Sequence, residues 1–219
     1  MDNAQLVTLS RQTSILRQMD ILANNVANTS TTGFKARGLW FQEYLTGTIK
    51  GDARGSGSAH ISFVADQGAT LDFREGTVET TGANLDIALR GTILLTVKTP
   101  NGEKYTRNGA LTLDQQGRLV TADGHIVMGD GGPIQITPAD GPISFTPDGQ
   151  VIGKSGSLAK LKLVDVPDPT LLQNEGANLF NTKKPLPSAK NPKLIPGALE
   201  KSNVSPVIAM SQLIELNRA

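Results

Sequence analysis

The chain has two imidazoles, His60 and His125, which stand far apart with no metal-ligand spacing around either, so both read as ordinary surface or packing positions. The chain contains no cysteine, which excludes disulfides, thiolate metal sites and thiol nucleophiles together. Gly149 and Gly153-Lys154-Ser155 hint at a phosphate-cradling loop, but that motif needs a glycine where Asp148 stands. Asn-Gly or Asp-Gly pairs begin at residues 101, 108, 123, 130, 140 and 148. They lack the repeat and alternating ligands of a calcium loop and read as turns between strands. Asn28-Thr29-Ser30 and Asn203-Val204-Ser205 fit the N-glycosylation pattern, though both stand where a helix ends or begins and read better as caps. One acid–base arrangement stays open, with Asp123 and Asp130 as the carboxylate pair of a secreted β-rich glycan-binding or glycan-processing protein. It needs a concave, aromatic-lined site, and aromatic residues are 4% of the chain. The leading reading is a non-enzyme with no catalytic residues, cofactor or metal.

Composition narrows the class further. At 219 residues and 38% hydrophobic content the chain can bury a core. Its 21 basic and 20 acidic side chains nearly cancel, and no basic cluster is interleaved with aromatics, which argues against nucleic acid as a partner. The longest apolar run, Val207 to Met210, is far short of a membrane span, and the N-terminus lacks the pattern of a secretory signal.

The positioning elements fall into three parts. From about Asn3 to Asn28 the pattern predicts a helix: Ile15, Met19, Leu22 and Val26 form one apolar stripe, and Leu9, Leu16 and Ala23 a second beside it. The stretch ANNVANTSTTGFK then stops the helix, with Gly33 available for positive φ and Phe34 available to pin the departing chain. Residues 46–60 hold four glycines and read as a mobile part of a connection over 36–60. Over 61–182 short alternating runs (ISFVA, LDIAL, ILLTV, LTL, RLVT, HIVM, PIQIT, PISF, LAKLKLV) predict an antiparallel β domain. Residues 183–197, with four prolines and four lysines, read as an extended, solvated strap. Ser205 and Pro206 then open a second helix, with Val207, Met210 and Ile214 in one stripe and Ala209, Leu213 and Leu216 in another; the helix either frays at Ala219 or continues in a longer natural chain.

The fold class expected is therefore α+β, with residues 1–35 and 198–219 pairing their helices into a coiled-coil-like core domain and a central antiparallel β domain. Burying both helices against each other and against copies of the chain suggests a polymer subunit. The strap is expected to carry the second helix away from the β domain, so deleting residues 199–219 should leave that domain's melting unchanged.

The end segments carry a resemblance. ANNVANTSTTGFK, with Asn25, Asn28, Thr29, Gly33, Phe34 and Lys35, resembles the N-terminal signature of the bacterial flagellar axial family, the rod and hook proteins. LEKSNVSPVIAMSQLIELNRA, with Leu199, Glu200, Ser202, Asn203, Val204 and Arg218, resembles its C-terminal signature. TGANLDIALRG, YTRNGALTLDQQGRLVTADGHIVMG and GGPIQI resemble its central β domain, although Ile93-Leu94-Leu95 stands where relatives often carry Gly-Phe-Phe. The short segment between Lys35 and Ile61 is most similar to proximal-rod members, with a distal-rod or hook subunit as the alternative.

The resemblance implies a periplasmic rod subunit in a helical tube that transmits motor torque, exported by the type III apparatus without a cleaved signal. Its implied partners are copies of itself, other rod proteins above and below, the export apparatus and, as further candidates, the surrounding basal-body rings, with no nucleic acid and no membrane insertion. The candidate polymer interface comprises the two N-terminal stripes, then Asn25, Asn28, Thr29, Gly33 and Phe34, and in the tail Asn203, Val204, Val207, Met210, Leu213, Ile214 and Leu216.

Overall fold

The i, i+3, i+4 apolar spacing ends at Val26, and the helix ends one residue later. In the computed structural model, which describes residues 3–47 and 60–218, α1 runs Asn3–Ala27. The two long strands β1 (Arg37–Gly47) and β2 (His60–Leu71) pair with each other. There follow β3 (Val78–Thr80), β4 (Ile87–Leu89), β5 (Ile93–Thr99), β6 (Gly102–Thr106), β7 (Leu111–Leu113), β8 (Leu119–Thr121), β9 (Ile126–Gly129) and β10 (Gly132–Pro133). Then come β11 (Ser144–Phe145), β12 (Gln150–Gly153), β13 (Gly156–Lys160), β14 (Leu163–Asp165), β15 (Leu172–Asn174), β16 (Leu179–Thr182), β17 (Leu194–Pro196), β18 (Ala198–Glu200) and the closing helix α2 (Pro206–Arg218). The class is α+β, and no described helix is long and apolar enough to cross a membrane.

The chain forms two compact units. The helical unit contains α1, α2, β1 and most of β2; the β unit contains residues 28–36 and 71–204. In the helical unit α1 packs beside α2 and β1. In the β unit a nine-stranded antiparallel sheet runs in the order β15-β16-β6-β5-β9-β8-β7, with β10 on β9 and β14 on β5. Strand β5 sorts its side chains by the period of two: Ile93, Leu95 and Val97 enter the larger core, and Leu94 joins Val164, Val166, Leu172 and Phe180 in a second cluster. All three residues of Ile93-Leu94-Leu95 are buried, so that variation on the family pattern keeps its place in the cores. Smaller pairings, β11-β12-β13, β17 with β4 and β18 with β3, complete the unit.

Four of the six Asn/Asp-Gly pairs lie between paired strands: Asn101-Gly102 (β5 to β6), Asp123-Gly124 (β8 to β9), Asp130-Gly131 (β9 to β10) and Asp148-Gly149 (β11 to β12). The other two do different work. Gly109 lies against the Ile87 carbonyl, where a Cβ would come within 1.8 Å, and Asp140-Gly141 closes a short 3-10 turn.

Three boundaries differ from the sequence expectation, each for a traceable reason. Of the expected flexible connection over 36–60, residues 37–47 form β1, because Gly-Leu-Trp-Phe-Gln-Glu-Tyr-Leu is rich in strand formers; residues 48–59 lie outside the described residues. The strap at 183–197 runs along the β unit instead of leaving it. Asp165 N–H donates to Pro187 O (2.9 Å), Ala189 N–H to Leu163 O (3.0 Å) and Leu194 N–H to Pro147 O (2.9 Å). Its prolines leave the N–H groups between them free to bond, and Leu194 is buried in the core while the lysines stay in water. Residues 28–35 and 198–204, expected with the helices, belong to the β unit, where β18 pairs with β3.

The truncation expectation changes accordingly. A chain lacking residues 205–219 should keep the β unit's cooperative melting transition, because it loses only helical-unit residues. A chain lacking 199–219 loses Glu200 and Asn203 as well, and its transition should fall by about 10 °C or disappear. Calorimetry on both truncations checks the pair.

Candidate assembly site

Burial divides the two helices stripe by stripe. On α1, Leu22 is buried and Ile15, Met19 and Val26 are half-buried, whereas Leu9, Leu16 and Ala23 are exposed, Leu16 at 62%. On α2, Ala209 is buried and Leu213 and Leu216 are half-buried, whereas Val207, Met210 and Ile214 are exposed, Val207 at 76%. Ile208, which stands in neither predicted stripe, is exposed as well. Each helix thus has one covered stripe and one open to solvent. An open stripe of large aliphatic side chains on two adjacent helices is a surface built for apolar contact.

The remaining candidate residues face inward or shape the connections. Asn25 is buried and closes on one residue: its Oδ1 accepts from Arg37 N (2.9 Å) and its Nδ2 donates to Arg37 O (2.8 Å). This fixes the start of β1 on α1. Asn28 and Thr29 are half-buried in the turn after α1, where Thr31 Oγ1 donates to Asn28 Oδ1 (3.1 Å). Phe34 is buried, and Gly33 takes φ 68° while lying so close to Arg107 that a Cβ would come within 2.6 Å of its carbonyl carbon. That close approach explains why the connection after α1 carries a glycine at residue 33. Asn203 and Val204 are half-buried. Gly33, Phe34 and Asn25 are therefore interior positions of the chain and not part of its open surface.

The β unit holds a charged cluster that side-chain type alone does not reveal. Glu200, Lys35 and Arg107 are buried, their side chains 0–1% exposed. Glu200 Oε1 accepts from Lys35 Nζ (2.7 Å) and from Gly76 N (2.8 Å), and Oε2 accepts from Arg107 Nε (2.6 Å). Lys35 Nζ also donates to Arg74 O (2.8 Å), and Arg107 donates to the carbonyls of Leu89, Gly91 and Ile93 at 2.5–2.8 Å. Neighbouring backbone is drawn in: Gly33 N donates to Glu200 O (2.7 Å), and a Cβ on Gly76 would strike Lys201 O at 2.0 Å. Burial pushes the Lys35 ammonium below its ordinary pKa, opposed by its hydrogen bond and attraction to Glu200. Lys35 and Glu200 stand in the end signatures and Arg107 in YTRNG, yet nothing in one sequence says that they meet across the chain.

The carboxylates of the glycan reading line neither of the two concavities described below. Asp123 and Asp130 are exposed at hairpin turns, and His125 is half-buried in the chain between them. Two concavities of the β unit, of about 510 and 600 Å³, have no aromatic ring in their linings. Among the described residues no group of three or more His, Asp or Glu is placed to hold a metal ion.

The cluster predicts an order of damage. Glu200→Gln leaves two buried cations without their anion and should cost about 3–5 kcal/mol, whereas Lys35→Met keeps the Glu200–Arg107 pair and should cost about 1–3 kcal/mol. Because the folded chain holds the Lys35 proton less tightly than the unfolded chain, the unfolded state binds more protons between the lowered pKa and 10.5. This contribution to stability therefore rises with pH through that window. Denaturant melts from neutral to alkaline pH should show the slope in the wild type minus Lys35→Met difference.

Comparison with known proteins identifies relatives along the whole chain. Residues 6–35 match the family described as flagella basal body rod protein, residues 88–153 the flagellar hook protein FlgE/F/G D1 domain, and residues 195–219 the flagellar basal body rod FlgEFG protein C-terminal. The chain is 39% identical to the flagellar basal-body rod protein FlgF of Caulobacter vibrioides, over 100% of this chain and 89% of that protein. It is 31% identical to FlgF of Mesorhizobium japonicum, with the same two shares covered. It is 32% identical to the flagellar basal-body rod protein FlgG of Bacillus subtilis, over 74% of this chain and 67% of that protein. With its two end segments and its β unit all matched, the chain belongs to the flagellar basal-body rod protein family.

Proposed function

We propose that this chain is a structural, non-catalytic subunit of the proximal rod of the bacterial flagellum, exported through the flagellar type III apparatus without a cleaved signal and assembled in the periplasm. Copies of the chain, with other rod proteins above and below, bury the open stripes of α1 and α2 in a helical tube that carries motor torque towards the hook. The helices pair in the manner of a coiled coil. The observation that carries this reading is the exposed Leu9, Leu16, Val207, Met210 and Ile214 on helices whose other stripes are already covered. Full-length similarity to FlgF proteins supports the proximal position, as does the short segment between Lys35 and β2.

Placing a carboxylate on an open stripe separates assembly from folding. Leu16→Asp and Ile214→Asp change exposed positions, so each variant should melt within about 1 °C of wild type. In the polymer the same charge is buried unpaired, at a loss of several kcal/mol for each contact. Cells carrying either variant should make the protein and fail to complete a rod; normal swimming would contradict the proposal. Leu22→Asp is the contrasting control, since its site is buried in the chain and the isolated protein itself should melt lower.

Amide exchange supplies a second check. In the unassembled chain, α1 and α2 with one stripe open should exchange faster than β5, β6 and β9, and gain protection on assembly. Equal protection of helices and sheet before assembly would count against the proposal.

A further inference from the structure

The β unit is joined to the rest of the chain after residues 27, 36, 70 and 204. Three of the four joining segments are bonded to one another inside the unit. Ala36 N donates to Asn203 Oδ1 (2.7 Å) while Ala36 O accepts from Asp72 N (2.8 Å). Asn203 Nδ2 donates to the carbonyls of Asp72 (2.8 Å) and Arg74 (3.0 Å), and Lys201 N donates to Thr77 O (2.8 Å). Lys35, Glu200 and the Gly76 amide form the buried charged part of the same junction. Arg107 then ties it to the body of the unit through the carbonyls of Leu89, Gly91 and Ile93, in and beside β4 and β5.

We propose that Lys35, Glu200 and Arg107, with Asn203, form a mechanical clasp: the element through which force entering the β unit along its joining segments reaches its sheet. The inference rests on the reading of the chain as a rod subunit under torque, and it adds where that torque is borne inside one subunit. Physical chemistry favours the placement. Backbone hydrogen bonds at a sheet margin exchange with water one at a time, whereas separating Lys35 or Arg107 from Glu200 strands a charge in a dry site before water can replace the partner. The linked residues are far apart in sequence, Lys35 and Glu200 by 165 positions and Arg107 and Glu200 by 93, so the clasp joins segments that no local turn holds together. Its two cations are not interchangeable: Arg107 anchors Glu200 to the sheet, and Lys35 anchors it to the incoming segment.

The test is forced unfolding of the full-length chain in two geometries. The absence of native cysteine allows handles at Ser30→Cys and Ser205→Cys, which load the joining segments. Handles at Asp123→Cys and Asp148→Cys load hairpin tips instead. Under constant force through the first pair, Lys35→Met should raise the unfolding rate about tenfold. Through the second pair the rate should change less than about twofold. Glu200→Asp, which keeps the charge but shortens its reach, should show the same selectivity and stands in if Lys35→Met does not fold. An equal acceleration in both geometries, or none in the first, would overturn the clasp. Because the measurement uses purified protein, it stands or falls separately from assembly into a rod.

Discussion

One buried carboxylate, that of Glu200, holds together parts of the chain that are far apart in sequence. It accepts from Lys35, Arg107 and the Gly76 amide, and its own carbonyl accepts from Gly33. Burying three charges is expensive, and such a group is tolerable only where its charged members are mutually paired and their remaining donors find carbonyls, as they do here. The arrangement imposes several local features at once. Glycine is needed at residues 33 and 76 because the backbones close on one another there. The Arg107 fork needs β4, the turn after it and the start of β5 where they are, to supply its three carbonyl partners. Exposed pairs such as Lys201–Glu79 and Lys162–Glu103, solvated on both sides, contribute little by comparison.

The helical unit follows a different constraint. A helix with two apolar stripes cannot cover both with a single neighbouring helix, and here one stripe of each is left open. Burying a Leu, Ile, Val or Met side chain is worth about 1.5–3 kcal/mol, so in the proposed assembly several such residues per subunit would give a strong apolar drive. The β unit instead carries its own two cores and its own charged junction. Folding of the β unit and burial of the open helix stripes thus draw on separate sets of residues.

Much of this was legible from residue patterns and some was not. Both helices, with α2 opening at Pro206, follow from apolar spacing and the preference of proline for a first helical position, and β5, β7, β8 and β9 follow from alternation and Asp-Gly turns. PIQIT was expected as a strand, yet of its residues only Pro133 stands in a regular strand, paired with Met128, while Gln135 makes an isolated bridge to Arg118. Strands β15 to β18 are too short to show alternation, β16, β17 and β18 pair with strands distant in sequence, and proline-rich composition hid the docking of 183–197. The two apolar stripes were visible, but which one stays open depends on tertiary packing. Lys35, Arg107 and Glu200 were visible only as charges, and a charge in sequence looks solvated until its partner comes near in space.

The central claim is that the open stripes of α1 and α2 are seams between subunits. Cysteine cross-linking tests it most directly, because the chain has no cysteine of its own. Single variants carrying Leu16→Cys or Met210→Cys, and the pair combined, would be expressed in cells that assemble basal bodies, which are then purified and oxidised. The account predicts disulfide-linked ladders containing more than one copy of this chain, or a copy joined to a neighbouring rod protein bearing a matched cysteine, with full protection of both thiols from alkylation before oxidation. Thiols that stay freely alkylated in intact, functional rods, with no cross-linked species, would contradict it.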